Sequence, residues 1–312
     1  MITSARFAAL GGALGMVCVG SSVAASQVLV GAPLFTVQAL RYTLAAVLLL
    51  VLARIGRRPL PRPRGTEWCW LAAVAAVGLV VFNVAVVRGV EHAEPAVIGV
   101  AVATVPVALA VAGPLAARRR PAPTVVLAAL VVTAGAVLVE GGGRTDAEGI
   151  LWAAVTMLCE IGFTLLAVPV LDRLGPWAVS LHSVWIATVV LTVLGLAVEG
   201  PAAITQLDGG DLLAALHLAV VVTALAFVLW YTAVDRIGAG RAGLFTGIVP
   251  VAAAAGGVLL GAPVPGAAVW LGTGVVALGL AIGFARPAPQ RTPERISPGA
   301  GTTTPSAART SP

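Results

Sequence analysis

Long apolar runs alternate with short segments rich in arginine, proline, glycine or acidic residues along most of the chain. A hydrocarbon core about 30 Å thick is crossed by a helix of about 20 apolar residues. The pattern therefore predicts ten membrane-spanning helices, at 7–28, 34–53, 67–89, 94–115, 123–140, 148–169, 177–198, 211–233, 239–261 and 265–285. The predicted fold class is an all-α integral membrane protein.

The composition excludes several other classes of protein. Of the 312 residues, 59% are apolar and only 10% are charged, whereas a soluble domain carries about a quarter charged residues. The net charge is +6, but the arginines lie between apolar runs and form no patch interleaved with aromatic residues, so we predict no nucleic-acid partner. Cys18, Cys69 and Cys159 lack metal-ligand spacing and read as packing residues. We predict no metal and no cofactor.

The arginines predict how the chain lies in the membrane. If the N-terminus is cytoplasmic, sixteen of the 19 arginines fall on the cytoplasmic side, only Arg88 and Arg144 fall outside, and Arg41 lies within a helix. Short loops that carry arginine stay in the cytoplasm, so both termini are predicted there, in the cytoplasmic membrane. The segment 286–312 is rich in Pro, Thr, Ser and Arg and is predicted to be a disordered cytoplasmic tail.

The chain contains an internal repeat. Residues 90–107 line up with 234–251 at a constant offset of 144, with an acid, a base and a proline at matching positions. This predicts two five-helix units, 1–142 and 143–285. Because five is odd, the second unit must enter the membrane from the opposite side, as in the inverted repeats of secondary transporters.

The charges of equivalent loops agree with an inversion. The loops at 54–64 and 118–120 carry eight arginines, and their counterparts at 199–210 and 262–264 carry none. Equivalent loops therefore exchange their charge when they exchange sides of the membrane.

A longer motif carries a resemblance to a known family. The run LWYTAVDRIGAGRAGL at 229–244, followed by Val249-Pro250-Val251, resembles the second-half signature of EamA-type members of the drug/metabolite transporter superfamily. The resemblance covers about 7–285 and implies ten helices, cytoplasmic termini, alternating access and export of small molecules. Family members often carry a Gly-Glu pair after the fourth and ninth helices, and 117–119 and 261–263 lack it here.

Two ionisable residues lie inside predicted helices and are the first site candidates, because such groups are costly in a bilayer and are usually functional. Glu160 lies near the centre of the sixth helix, where it could carry a coupling proton, bind a substrate cation or form a structural ion pair. Arg41 lies in the second helix and keeps its charge. It could hold a substrate carboxylate, or it could pair with Glu160 or a backbone carbonyl.

Other candidates are polar or helix-breaking residues. Ser22, Ser26 and Asn83 could line a cavity or serve packing. Pro106 and Pro250 interrupt equivalent helices and are predicted hinges or packing kinks. The aromatic pair Trp230–Tyr231 is predicted to lie in the interfacial belt. His182 and His217 are interpreted as interfacial or packing histidines, with a proton relay as the alternative. Gly279-x-x-x-Gly283 suits either internal packing or a homodimer.

We therefore predict a secondary transporter of a small molecule, with proton-coupled export expected from the resemblance. An intramembrane enzyme and a non-transporting scaffold are the alternatives. The three histidines are scattered and no His-Glu-x-x-His sequence occurs, which disfavours an enzyme. The chain contains no lysine, so an ATP-binding loop of the P-loop type is excluded. Substrate, direction, coupling ion and oligomeric state do not follow from the sequence.

Overall fold

The computed structural model describes residues 2–29, 31–259 and 264–285. Within them, ten helices are long and apolar enough to cross a membrane, which confirms the predicted count. The predicted tail at 286–312 and the segment 261–263 lie outside the described residues. The helices are α1 Arg6–Val28, α2 Leu34–Ile55, α3 Glu67–His92, α4 Pro95–Ala116, α5 Pro123–Glu140, α6 Ala147–Leu165, α7 Val168–Glu199, α8 Gly209–Ile237, α9 Ala239–Leu259 and α10 Ala267–Phe284.

The largest difference from the predicted bounds is at the start of α7. This helix begins at Val168 instead of 177, and Gly175 interrupts it with a φ of 74°. That left-handed backbone conformation suits glycine, which has no Cβ. Pro176 then restarts the helix in its first turn, where a proline costs no hydrogen bond. The predicted start therefore marks the part of α7 that follows the kink.

The repeat is visible in rare local structure. A π-helical segment, here called the α3 π segment, runs over Val74–Val81, and the α8 π segment runs over Leu218–Leu225. The two are separated by the offset of 144 found in the sequence. Segments with i→i+5 hydrogen bonds are rare and occur mostly as insertions in α-helices, often at functional sites. Their recurrence at equivalent positions indicates that both halves share one detailed backbone geometry.

The two predicted interruptions also recur at equivalent positions. The α4 helix is broken at Thr104, two residues before Pro106, where φ and ψ are −83° and −10°. Its equivalent, Ile248, ends a 3₁₀ stretch two residues before Pro250 in α9, with φ −76° and ψ −25°. A proline lacks the N–H that would bond to the carbonyl four residues earlier, so the α-helical ladder cannot continue unchanged through either point.

Burial shows the same symmetry in α2 and α7, here at an offset of 142. The buried positions of α2 are Val37, Gln38, Ala39, Arg41, Tyr42, Ala45, Leu49 and Ala53, and their buried equivalents are Val179, Ser180, Leu181, Ser183, Val184, Ala187, Leu191 and Gly195. One packing arrangement is thus built twice, with different side chains.

Equivalent helices pack as pairs around the centre of the bundle. The α2 helix packs against α7, α4 against α9 and α5 against α10, while the α1–α8 contact is matched by the α6–α3 contact. Glycines bring α5 and α10 together, because a Cβ at Gly279 would lie 2.8 Å from the backbone nitrogen of Val132. Gly283 likewise faces Leu244 of α9. The glycine motif of α10 therefore packs inside the chain, and a homodimer stays a prediction.

Candidate functional site

Glu160 lies on the face of α6 that points into the bundle. The residues one turn away on either side, Thr156, Phe163 and Thr164, are all buried, and positions three or four apart share a helix face. Leu158, on the opposite face, is 59% exposed. Glu160 itself is half-buried, and among the described residues its carboxylate has neither an ion pair nor a hydrogen bond. The bundle thus contains an acidic group without a cationic partner.

An aromatic cluster connects α6 to α8 beside Glu160. The ring of Phe163 lies 4.8 Å from that of Phe227 and 5.1 Å from that of Tyr231, between centroids. The Tyr231 hydroxyl donates a hydrogen bond to the Phe163 carbonyl oxygen at 3.1 Å. Beside this pair, Trp230 Nε1 on α8 donates to Thr164 Oγ1 on α6 at 3.2 Å.

This cluster corrects one interpretation of the sequence. Trp230 is 2% exposed and Tyr231 is 0% exposed, so they belong to the core and not to an interfacial belt. Their polar atoms find partners on α6, which is what a buried indole or phenol requires. No sequence signal distinguishes these partners from the water and headgroups of an interface.

Arg41 donates its hydrogen bonds to neutral side chains and lies over the ring of Tyr42, with 4.9 Å between its Cζ and the ring centroid. Its side chain comes from α2, it is 9% exposed, and its Nε donates to Thr223 Oγ1 in the α8 π segment at 2.9 Å. Its Nη1 donates to Gln38 Oε1, one turn earlier, at 3.2 Å. Within the described residues no carboxylate forms an ion pair with Arg41. Of the predicted partners, Glu160 is therefore not bound to Arg41 in this structure.

The remaining polar candidates differ in their surroundings. Asn83 Nδ2 donates to the Tyr42 hydroxyl at 3.0 Å, joining α3 to α2. Ser22 is half-buried and Ser26 is exposed. Their neighbour Ser21 makes the contact across helices, with 2.9 Å between its Oγ and His217 Nε2 on α8. The structure therefore does not join Glu160, Arg41, Ser22, Ser26 and Asn83 in one hydrogen-bonded cluster.

Ion pairs connect the α3–α4 and α5–α6 loops at one end of the bundle. His92 Nδ1 lies 3.1 Å from Asp146 Oδ2, and His92 Nε2 lies 3.5 Å from Glu148 Oε1. Arg144 Nε lies 2.8 Å from Glu94 Oε1. The Gly149 N–H, followed by His92, lowers the pKa of the Asp146 carboxyl. These contacts join the first half of the chain to the second at this end.

Two glutamates that the sequence reading did not single out fix the ends of other helices. Glu199, at the end of α7, accepts the N–H groups of Phe35 and Thr36 at 2.8 Å each. It thereby caps the N-terminus of α2, where backbone N–H groups have no partner inside the helix. At the other end of the bundle, Glu67, at the start of α3, pairs with Arg173. Their signal in the sequence is weak, because acids at helix ends are common.

Two clefts lie on the outer surface of the bundle. One, of about 320 Å³, is lined by Phe7, Ala8, Gly11, Leu229, Thr232 and Arg236. The other, of about 510 Å³, lies over the ion pairs of His92 and Arg144. Neither cleft reaches Glu160 or Arg41, so these clefts give no access to the inner charges.

Comparison with known proteins places this geometry in a family. The model of the EamA-like transporter family matches the chain twice, over 6–141 and 147–284. The uncharacterized transporter YetK of Bacillus subtilis (strain 168) is 25% identical over 268 residues, covering 80% of this chain and 79% of YetK. A solved structure titled "Crystal structure of protein" has a similar fold, with a TM-score of 0.75 at 20% identity, covering 89% of this chain and 97% of that one. Because the family model matches both halves of the chain, the protein belongs to the EamA-like transporter family.

Proposed function

We propose that this membrane transporter is a proton-coupled exporter that moves a small metabolite or drug-like molecule by alternating access. Family membership supports transport. The observation that supports proton coupling is the Glu160 carboxylate, which lies within α6 and forms no ion pair among the described residues. An intramembrane charge without a partner costs about 2.5 to 3.5 kcal/mol on insertion scales. A proton removes that charge reversibly, so Glu160 is suited to carry one across during the cycle.

The proposed moving parts are the two units, 1–142 and 143–285. In alternating access, one repeat rocks or gates against the other around a fixed site. The broken α4 and α9 support Pro106 and Pro250 as hinges, since their backbones already depart from a continuous α-helix. Asn83, Ser22 and Ser26 are proposed to meet the solute when the inner faces separate.

We further propose that the chain lies in the cytoplasmic membrane with both termini in the cytoplasm. Reporter fusions that are active only in one compartment, placed after residue 120 and after residue 144, test this orientation. We expect a cytoplasmic signal at 120, after three successive arginines, and an external signal at 144. The opposite pair of signals would place every loop on the side of the membrane opposite to the one proposed.

Counterflow tests the function itself. The candidate solutes are metabolites whose external concentration differs between cells that overproduce the protein and cells that lack it. Liposomes containing the purified protein are loaded with one such unlabelled solute and diluted into labelled solute. We expect a transient internal accumulation of label above equilibrium, which neither a scaffold nor an enzyme produces. Lack of accumulation for every candidate would contradict the proposal.

A further inference from the structure

We propose that Arg41, with Gln38 and Thr223, binds an anionic group of the transported solute at the contact between α2 and the α8 π segment. The solute would then carry a carboxylate or a phosphate. This inference rests on the proposed transport function and specifies the chemistry of what is carried. It uses Arg41 as a ligand-binding residue, separate from the proton site at Glu160.

Arg41 carries a permanent charge inside the bundle. Arginine cannot lose its proton in a protein, and Arg41 is 9% exposed within a bundle that spans the membrane. Its hydrogen-bond partners Thr223 and Gln38 are both neutral. Leaving a buried charge without a counter-charge is strongly destabilising, and such groups in membrane helices mark substrate or ion paths. A bound anion would supply the missing charge.

The guanidinium group of Arg41 has hydrogen-bond donors to spare. It has five N–H donors, and the two acceptors found among the described residues use one on Nε and one on Nη1. Three donors on Nη1 and Nη2 therefore remain for another group. Arginine binds carboxylate and phosphate through two parallel N–H bonds, so the remaining donors are sufficient for such a pair. Thr223 and Gln38 meanwhile hold the guanidinium in position.

The equivalent position in the second half of the chain carries no charge. At the offset of 142, Arg41 corresponds to Ser183 and Gln38 to Ser180, both of them fully buried. The α7 helix packs on the α3 π segment just as α2 packs on the α8 π segment. There, Ser183 donates to the Val179 carbonyl of its own helix at 2.8 Å. Packing against a π segment therefore requires no arginine, and the charge at 41 is an addition confined to one half.

Arg41 is 9% exposed, and it lines neither of the two outer clefts found in the described part of the chain. The proposal therefore requires a conformation in which α2 moves away from α8 and exposes Arg41. That separation is of the kind alternating access provides, and it places anion binding in an open state of the transporter.

Binding of matched probes to the purified full-length protein tests the proposal. The probes are benzoate and 4-aminobutyrate, each compared with its primary amide, and inorganic phosphate. A ligand that binds the folded protein raises its free energy of unfolding by RT ln(1 + [L]/Kd) and thereby raises its unfolding temperature. We expect at least one acid to stabilise the protein where its amide does not. We expect Arg41→Gln to weaken that binding by at least about tenfold, or 1.4 kcal/mol.

Two further variants separate the anion site from folding. Ser183→Ala changes the equivalent position in the other half and should leave anion affinity unchanged. Thr223→Val keeps the charge of Arg41 but removes the acceptor for Nε, so it should weaken anion binding even if Arg41→Gln fails to fold. Anion binding equal to wild type in whichever of Arg41→Gln and Thr223→Val folds would overturn the proposal. So would stabilisation of the wild type by none of the anions.

The outcome for the anion site can be distinguished from that for transport. Counterflow restricted to neutral or cationic solutes would overturn the anion site and leave the transporter standing. Anion binding that depends on Arg41, without counterflow of any solute, would support the site and contradict the transport function on which its role depends.

Discussion

Glu160→Gln is expected to abolish transport driven by a pH gradient while leaving counterflow of the same solute close to wild type. Glutamine has nearly the shape of glutamate and fits the same half-buried position on α6, but it cannot take up or release a proton. The variant could still alternate and exchange solute. We expect gradient-driven accumulation to fall by at least about tenfold, equivalent to 1.36 kcal/mol, and its dependence on pH to disappear.

Uptake into inverted vesicles with an imposed pH gradient measures this effect, next to counterflow at equal pH. Glu148→Gln is the matched control, because Glu148 lies on the same helix but at its solvent-exposed start. We expect this control to keep gradient-driven transport. If Glu160→Gln keeps gradient-driven transport at the wild-type rate with unchanged pH dependence, the coupling role of Glu160 is refuted.

Gly272→Val is expected to cause the largest loss of stability. Gly272 lies in α10 against α5, where even a Cβ would come within 2.6 Å of the Gly135 carbonyl oxygen and 2.9 Å of the Val139 backbone nitrogen. These are backbone atoms, which cannot rotate away, so the two helices must move apart. Overpacking of this kind costs about 1 to 3 kcal/mol, and sometimes more. Separating α5 from α10 would also disturb a contact between the two halves.

Gly274→Val provides the control for this substitution. Gly274 lies two residues further along the same helix, and a Cβ there would meet no atom within 4 Å. Both changes alter helix propensity equally, so any difference between them measures helix packing. Thermal unfolding of the two purified variants should show a lower midpoint for Gly272→Val only. Equal midpoints would mean that the α5–α10 contact yields to a larger side chain.

The ten helices and the repeat could be predicted because they rest on physics that acts along the chain. A bilayer requires long apolar segments whose backbone groups are satisfied internally, and this requirement is visible one segment at a time. The helix boundaries were predicted less well where glycine and proline meet. Gly175 and Pro176 bend α7, and the apolar pattern predicts a helix only for the part of α7 after the bend.

The candidate residues could be selected from the sequence, but their partners could not. Glu160 and Arg41 stand out because charge is rare in apolar helices, and an ion pair between them was one reasonable expectation. In the structure Arg41 binds Thr223 and Gln38, and Thr223 lies 182 positions away. Which residue contacts Arg41 depends on how α2 packs on α8, and no local sequence pattern predicts that packing.

The sequence by itself determined that this chain spans a membrane ten times in two related halves, because hydropathy, loop charge and internal similarity are properties of segments. Only the tertiary structure decided that Trp230 and Tyr231 belong to the core, that Glu199 caps α2, and that Arg41 donates to the neutral side chains of Thr223 and Gln38. Those outcomes depend on which helix faces meet, and helix faces in lipid are selected by close packing and hydrogen bonding between distant segments.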